Sequence, residues 1–198
     1  TSEFNGGIDL TVFEGKIQFN ADVYYNITSQ LLFGQPLPYT TGFASLSGNI
    51  GEVSNKGLEF NVFSVNVDKE IQWTTNFNLS KNINEVVFLV DTLPLFTGYS
   101  ANGVANTNII KEGEPLGTFW GLKFLGVDVA TGDAIYNDLN GDGEISQDDA
   151  TVIGNAQPDW IGGMTNTVSY KGFEFSIFFQ FSVGNEVLNF TKGGTLNA

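Results

Sequence analysis

Ile8-Asp9-Leu10-Thr11-Val12, then Phe13-Glu14-Gly15-Lys16, then Ile17-Gln18-Phe19-Asn20-Ala21-Asp22-Val23-Tyr24-Tyr25-Asn26: this run decides the fold. Ile8, Leu10 and Val12 alternate with polar residues before the turn. Ile17, Phe19, Ala21, Val23 and Tyr25 do so after it, while Gln18, Asn20, Asp22, Tyr24 and Asn26 keep the opposite face polar. A strict period of two means a β-strand with one apolar and one wet face, and two such runs around a short turn mean a hairpin. Outward from it, a second hairpin turns at Asp68-Lys69-Glu70, with Ile71, Trp73, Thr75, Phe77 and Leu79 opposite Gln72, Thr74, Asn76, Asn78 and Ser80. A third turns at Lys171-Gly172, where Met164, Val168 and Tyr170 precede Phe173, Phe175, Ile177, Phe179 and Phe181.

Tight turns near residues 14, 69 and 171 alternate with long Gly/Asn/Thr/Pro-rich segments at about 28 to 55, 81 to 105 and 128 to 159. Short turns at one end and long loops at the other are the asymmetry of an up-and-down membrane barrel, whose parity demands an even number of strands between Ser80 and Trp160. Lys111-Glu112-Gly113-Glu114-Pro115 is the turn available for that pair, joining 104–110 to 117–127, although Gly121 and Gly126 interrupt the second strand. The same alternation also builds a soluble β-sandwich that buries one face against a second sheet. Strands of about ten residues and the one-sided clustering of long loops favour the barrel. The expected fold is therefore all-β, an antiparallel up-and-down transmembrane β-barrel present as a fragment of about eight strands, with 1–198 as partial barrel and 128–159 as a long extracellular loop. Ile17, Phe19, Val23, Ile71, Trp73, Phe77, Phe175, Ile177 and Phe179 are expected to face lipid.

Composition narrows the function. The 198 residues contain no Cys and no His, which removes thiol nucleophiles, thiolate and imidazole metal ligands, and the commonest general base. No phosphate-cradling glycine loop is present, so the chain reads as a non-enzyme. A net charge of -14 opposes binding to nucleic acid. The longest purely apolar stretch, residues 86–90, is far short of the ~20 residues a membrane helix needs, yet a barrel strand needs only about 9–11.

One local motif asks for a metal. Asp138-Leu139-Asn140-Gly141-Asp142-Gly143-Glu144-Ile145-Ser146-Gln147-Asp148-Asp149 follows the spacing of an EF-hand-type loop. Calcium takes six to eight hard oxygens, supplied here by Asp138, Asn140 and Asp142 at positions 1, 3 and 5, the Glu144 carbonyl at 7 and Asp149 at 12. Gly143 permits the turn at position 6, and Ser146 at position 9 acts directly or through water. Position 12 is usually Glu. The alternative is an acidic turn that binds nothing, since these residues favour turns anyway. No amphipathic helix precedes Asp138, so the expected ion is a structural staple of an extracellular loop. Dockerins, which carry two such loops between helices, are a rival resemblance confined to this segment.

Several segments together resemble the SusC/RagA family of TonB-linked outer-membrane proteins. They are the strand 17–28 with its Tyr24-Tyr25 pair, and Gly48-Asn49-Ile50-Gly51-Glu52-Val53-Ser54-Asn55-Lys56-Gly57-Leu58-Glu59, which is similar to the family's NxGxxxNKGxE stretch. Glu112-Gly113-Glu114-Pro115-Leu116-Gly117-Thr118-Phe119-Trp120-Gly121, the acidic loop, Ile153-Gly154-Asn155-Ala156-Gln157-Pro158-Asp159-Trp160 and Tyr170-Lys171-Gly172-Phe173-Glu174-Phe175 complete the set. The resemblance implies the C-terminal part of a large barrel in the outer membrane of a Gram-negative bacterium, in contact with its lipid. It further implies a SusD-like surface lipoprotein as partner, TonB engaged through a missing N-terminal region, and import of oligosaccharides or peptides. A plug domain, a TonB-contacting box and an aromatic-ended last strand are lacking, so a fragment is expected. Trp120, Trp160 and Tyr99 are not assigned to ligand, because such rings more often serve the lipid girdle or packing. The alternatives are a secreted calcium-stabilised β-sandwich that binds glycans and a carboxylate-pair glycosidase.

Overall fold

The computed structural model describes residues 1–36, 39–43, 45–90, 94–98 and 106–189. Tyr99, residues 104 and 105 and the tail 193–198 fall outside them. Twelve strands are present among the described residues, and the chain divides into two compact units.

The first unit, Thr1–Ser29, Val53–Asn84 and Pro158–Asn185, is built on a six-stranded sheet. Its strands are β1 (Ser2–Val12), β2 (Ile17–Pro36), β3 (Ser45–Asp68), β4 (Ile71–Leu89), β11 (Trp160–Tyr170) and β12 (Phe173–Val183), neighbours in that order. All three expected hairpins form. β1 and β2 pair from Ser2↔Ile27 to Val12↔Ile17, and β11 and β12 from Trp160↔Val183 to Tyr170↔Phe173. Lys171 and Gly172 have φ of 46° and 87°, as the tightest hairpin turn requires of both central residues. β4 pairs directly with β11, Ile71 opposite Tyr170 and Ser80 opposite Ile161. Everything between is an insertion, so the even-number rule is met with no strand of this sheet between Ser80 and Trp160 among the described residues.

The strand inventory differs from the expectation in two ways. Six strands share the large sheet rather than about eight, with β1 and β12 at its edges. Three of them run to 20, 24 and 19 residues rather than about ten. Much of what reads as a loop at 28 to 55 is strand, because pairing along the backbone tolerates the Gly-, Asn- and Ser-rich sequence whose alternation is weak.

The second unit, Gln30–Glu52, Glu85–Gln157 and the described residues from Glu186, holds two smaller sheets. One has the order β10 (Ala150–Asn155), β7 (Thr118–Leu122), β6 (Asn108–Ile110), β5 (Leu95–Thr97), and the other joins β8 (Phe124–Val127) to β9 (Ala134–Tyr136). The turn at Lys111 does join two antiparallel strands, Asn108 opposite Phe119 and Ile109 opposite Thr118. They belong to the small sheet, since strands of three to five residues are too short to cross a bilayer. Val86, Leu89, Ile109, Ala150, Thr118 and Asp149 form the buried centre of this unit.

Candidate lipid face, polar face and acidic loop

Register places the two faces of the large sheet. Leu10 lies opposite Phe19, Phe77 opposite Met164, and Met164 opposite Phe179. Phe60 of β3 bridges the gap, its ring 4.9 Å from that of Phe19 and 6.3 Å from that of Phe77, both edge-on. One apolar row thus crosses all six strands. None of the nine residues expected to face lipid is buried, and Phe175 is 65% and Val23 50% exposed. In this unit Val53 alone among the described apolar side chains other than glycine is fully buried. A sandwich would cover this face, and nothing in the unit does.

A lysine–aromatic pair marks each end of the apolar side. Near the short turns, the Lys171 ammonium lies 5.1 Å from the Tyr170 ring centre. At the other end Lys81 lies 5.1 Å from the ring of Trp160. The ten steps of β11 between these rings, at about 3.3 Å each and a strand tilt of about 40°, span a height of about 25 Å, that of the apolar band of a membrane barrel. Trp160 accordingly reads as a girdle residue. The band carries one polar island. Trp73 Nε1–H and the Thr75 hydroxyl both donate to Asn166 Oδ1, at 3.1 and 2.7 Å, and Asn66 Nδ2 donates to Thr75 at 2.7 Å. These bonds pair polar groups that lipid would leave unsatisfied.

The opposite face is a carboxamide wall. Asn55 is its hub, donating to Asn26 Oδ1 at 3.4 Å and accepting from Asn82 and Asn84 at 3.2 and 2.9 Å. The Tyr24 hydroxyl donates to Asn82 at 3.0 Å, and its ring covers Gly57, where a Cβ would come within 2.3 Å. Asn20 donates to Asp9, and Asn61 to Asn76 at 3.3 Å. Sequence reading did not single out Asn55, although Asn55, Asn82 and Asn84 all fall on the polar parity of their strands. Lys56 and Lys81, the lysines of these strands outside the turns, fall on the apolar parity, and the chain has no arginine.

The acidic loop is organised by its own backbone. Asp138 accepts from the Gly141 and Gly143 amides at 2.7 and 2.9 Å, Asn140 from Asp142 at 2.9 Å, and Asp142 from Glu144 at 2.8 Å. Asn140 Nδ2 also donates to Asp142 at 2.9 Å. Asp149 is 0% exposed, and both its oxygens are engaged: one accepts from Leu139 and Asn140, the other from Ser146. The Ser146 amide is the main cause that holds this carboxyl below its usual range; burial pushes it up, and the Leu139 and Asn140 amides lower it further. Ser146 and Asp149 form a reciprocal capping box around a short 3-10 turn, Gln147–Asp149. Asp138, Asn140 and Asp142 are thus brought into one turn, whereas Asp149 faces the backbone. No three acidic, His or Cys side chains converge as a metal-holding group among the described residues.

No protein-family profile matches the chain. It is 39% identical over 204 residues to TonB-dependent receptor P3 of Formosa agariphila, covering 93% of the chain and 20% of that protein. It is 29% identical over 198 residues to TonB-dependent receptor SusC of Bacteroides thetaiotaomicron, covering 94% and 20%. A solved structure of the RagAB peptide transporter superposes with a TM-score of 0.80 at 24% identity, over 92% of the chain and 20% of the other. The chain thus spans about a fifth of the length of these relatives. Together with a two-faced antiparallel sheet, they define the class: this is barrel sequence of a TonB-dependent receptor. Within that class the chain belongs to the SusC/RagA-like group. Relatives of this kind are outer-membrane β-barrel proteins, and those matched are named as receptors and transporters, not enzymes.

Proposed function

We propose that the intact protein imports a nutrient across the outer membrane, energised by TonB through a region outside this chain and working with a SusD-like surface lipoprotein. The observation that carries this is the large sheet, apolar on one side with a lysine–aromatic pair at each end and carboxamide-lined on the other, as a wall between lipid and an aqueous passage would be. The cargo is an oligosaccharide or a peptide, and the chain performs no covalent chemistry. All of 1–198 serves one barrel domain, with 128–159 on the extracellular side. The test is uptake in the native bacterium. Deleting the gene, or tonB, should abolish accumulation of the cargo and growth on it, and complementation should restore both. Unchanged uptake in the deletion strain would defeat the proposal.

The loop 138–149 is proposed to take one calcium ion through Asp138, Asn140, Asp142, the Glu144 carbonyl and Asp149. Support comes from the donor chemistry of the first three, whose hard oxygens share one glycine-rich turn. Asp149 must give up backbone partners to join them. Terbium luminescence or calorimetry should show one site, strongly weakened by Asp138→Ala or Asp142→Ala and little changed by Gln147→Ala. Absence of any calcium-dependent signal would leave the loop as a metal-free turn.

A further inference from the structure

Charge is segregated across the large sheet. Short of the turns, the carboxylates of its strands within the first unit, Glu3, Asp9, Asp22, Glu59 and Glu174, keep to the polar side, whereas Lys56 of β3 and Lys81 of β4 stand on the apolar side. Both lysines sit toward the long-loop end, where the Lys81 ammonium lies 5.1 Å from the ring centre of Trp160. They border one cleft of about 240 Å³, lined by Tyr24, Lys56, Gly57, Leu58, Lys81 and Ile83. Lys56, Leu58, Lys81 and Ile83 share the apolar parity, so the cleft opens on that side. β3 and β4 are the inner pair of the six strands, and the strands that complete a barrel extend its wall from β1 and β12 rather than over this side. Glu52 and Glu85, the next carboxylates along β3 and β4, belong to the second unit.

A single lysine at the rim of a membrane is ordinary, because its stem lies along apolar surface while its ammonium reaches water. Two around one cleft, with Leu58 and Ile83 beside them and the carboxylates of their own strands turned away, make a patch of one sign on the lipid side. Near the interface a lysine on that side costs far less than at the midplane, so the patch is sustainable there. We propose that Lys56 and Lys81 hold the phosphate of an anionic lipid in the outer leaflet. The ammoniums supply charge-assisted N–H donors to phosphate oxygens, Leu58 and Ile83 meet the top of an acyl chain, and the Trp160 ring sits at headgroup level. The outer leaflet of a Gram-negative outer membrane carries its phosphate on the sugars of lipopolysaccharide, and that lipid is the occupant. The proposal takes from the import reading only its orientation, long loops outward.

The intact receptor, purified in a neutral detergent, is titrated with fluorescently labelled lipopolysaccharide, native or stripped of phosphate by a phosphatase. Wild type is set against the pair Lys56→Gln and Lys81→Gln, the pair Lys56→Arg and Lys81→Arg, and Lys171→Gln at the short-turn end. The glutamine pair should raise the half-saturating concentration about ten- to thirtyfold, and phosphate removal should weaken wild-type binding by a similar factor. The arginine pair and Lys171→Gln should bind like wild type. Equal half-saturation in the glutamine pair would overturn the proposal, as would indifference to the phosphate, a matching loss in the arginine pair, or displacement of the lipid by inorganic phosphate. A glutamine pair that binds lipid normally but changes oligomeric state would assign the cleft to a second copy instead. Should the glutamine pair fail to assemble, the single substitutions, each expected at about fivefold, decide in its place. Labelling of Val129→Cys on whole cells by a membrane-impermeant maleimide reads the orientation by itself. Without labelling the orientation fails, and this site with it, whereas a failed lipid titration leaves import standing.

Discussion

The Asp149 carboxylate, fully buried, gathers three backbone N–H groups that would otherwise be orphaned. Asp149→Ala leaves all three without their acceptor. Faster proteolysis within 138–149 and faster amide exchange at Leu139, Asn140 and Ser146 are expected, with the hairpins of the large sheet unaffected. Gly57 supplies a second residue-scale test. A methyl at Gly57 collides with the Tyr24 ring, so Gly57→Ala should destabilise the folded barrel by about 1–3 kcal/mol, as overpacking commonly does. Urea titration of the lipid-refolded protein reads this. Gly57→Ala combined with Tyr24→Ala should recover much of the loss; no recovery would mean the glycine is needed for its backbone alone.

At the scale of the strand, the two sides of β4 make opposite predictions. Phe77 lies mid-row on the apolar side, and Phe77→Arg should cost roughly 2–4 kcal/mol of folding free energy in lipid vesicles if it sits at the bilayer centre. Asn76→Arg, one residue away on the wet face, should cost far less. Equal costs would contradict the assignment of faces. These long spanning strands were legible in sequence wherever period two was unbroken, from Ile17 through Tyr25 and from Ile71 through Leu79. They were not legible in 29–36 and 45–55, where Gly, Ser and Asn carry little face preference and backbone pairing supplies the order. The short strands around Lys111 were readable as a pair but not as residents of another sheet, because a turn signal names its partners without naming their depth. The Ca-type spacing at 138–149 was equally plain, and the inward turn of Asp149 was not. Ser146-x-x-Asp149 spells a capping box, which competes with a metal for the same oxygens.

On the scale of the whole molecule, β4 and β11 are bonded neighbours although the chain leaves one at Leu89 and enters the other at Trp160. The pairing of Ile71–Ser80 with Ile161–Tyr170 is therefore made without any strand of the excursion. Closure entropy grows only with the logarithm of the excursion, so doubling its length costs about 0.6 kcal/mol. A peptide tag placed in the exposed tip Val129–Thr131 of the connection between β8 and β9 should leave refolding yield and urea midpoint of the barrel within error of the untagged protein. A large drop in either would show that the excursion and the wall fold as one cooperative unit. Read in evolutionary terms, the same economy makes the segment between β4 and β11 a cassette. Variation can lengthen, shorten or exchange the exposed tip of that segment while the register of β4 against β11 stays as it is.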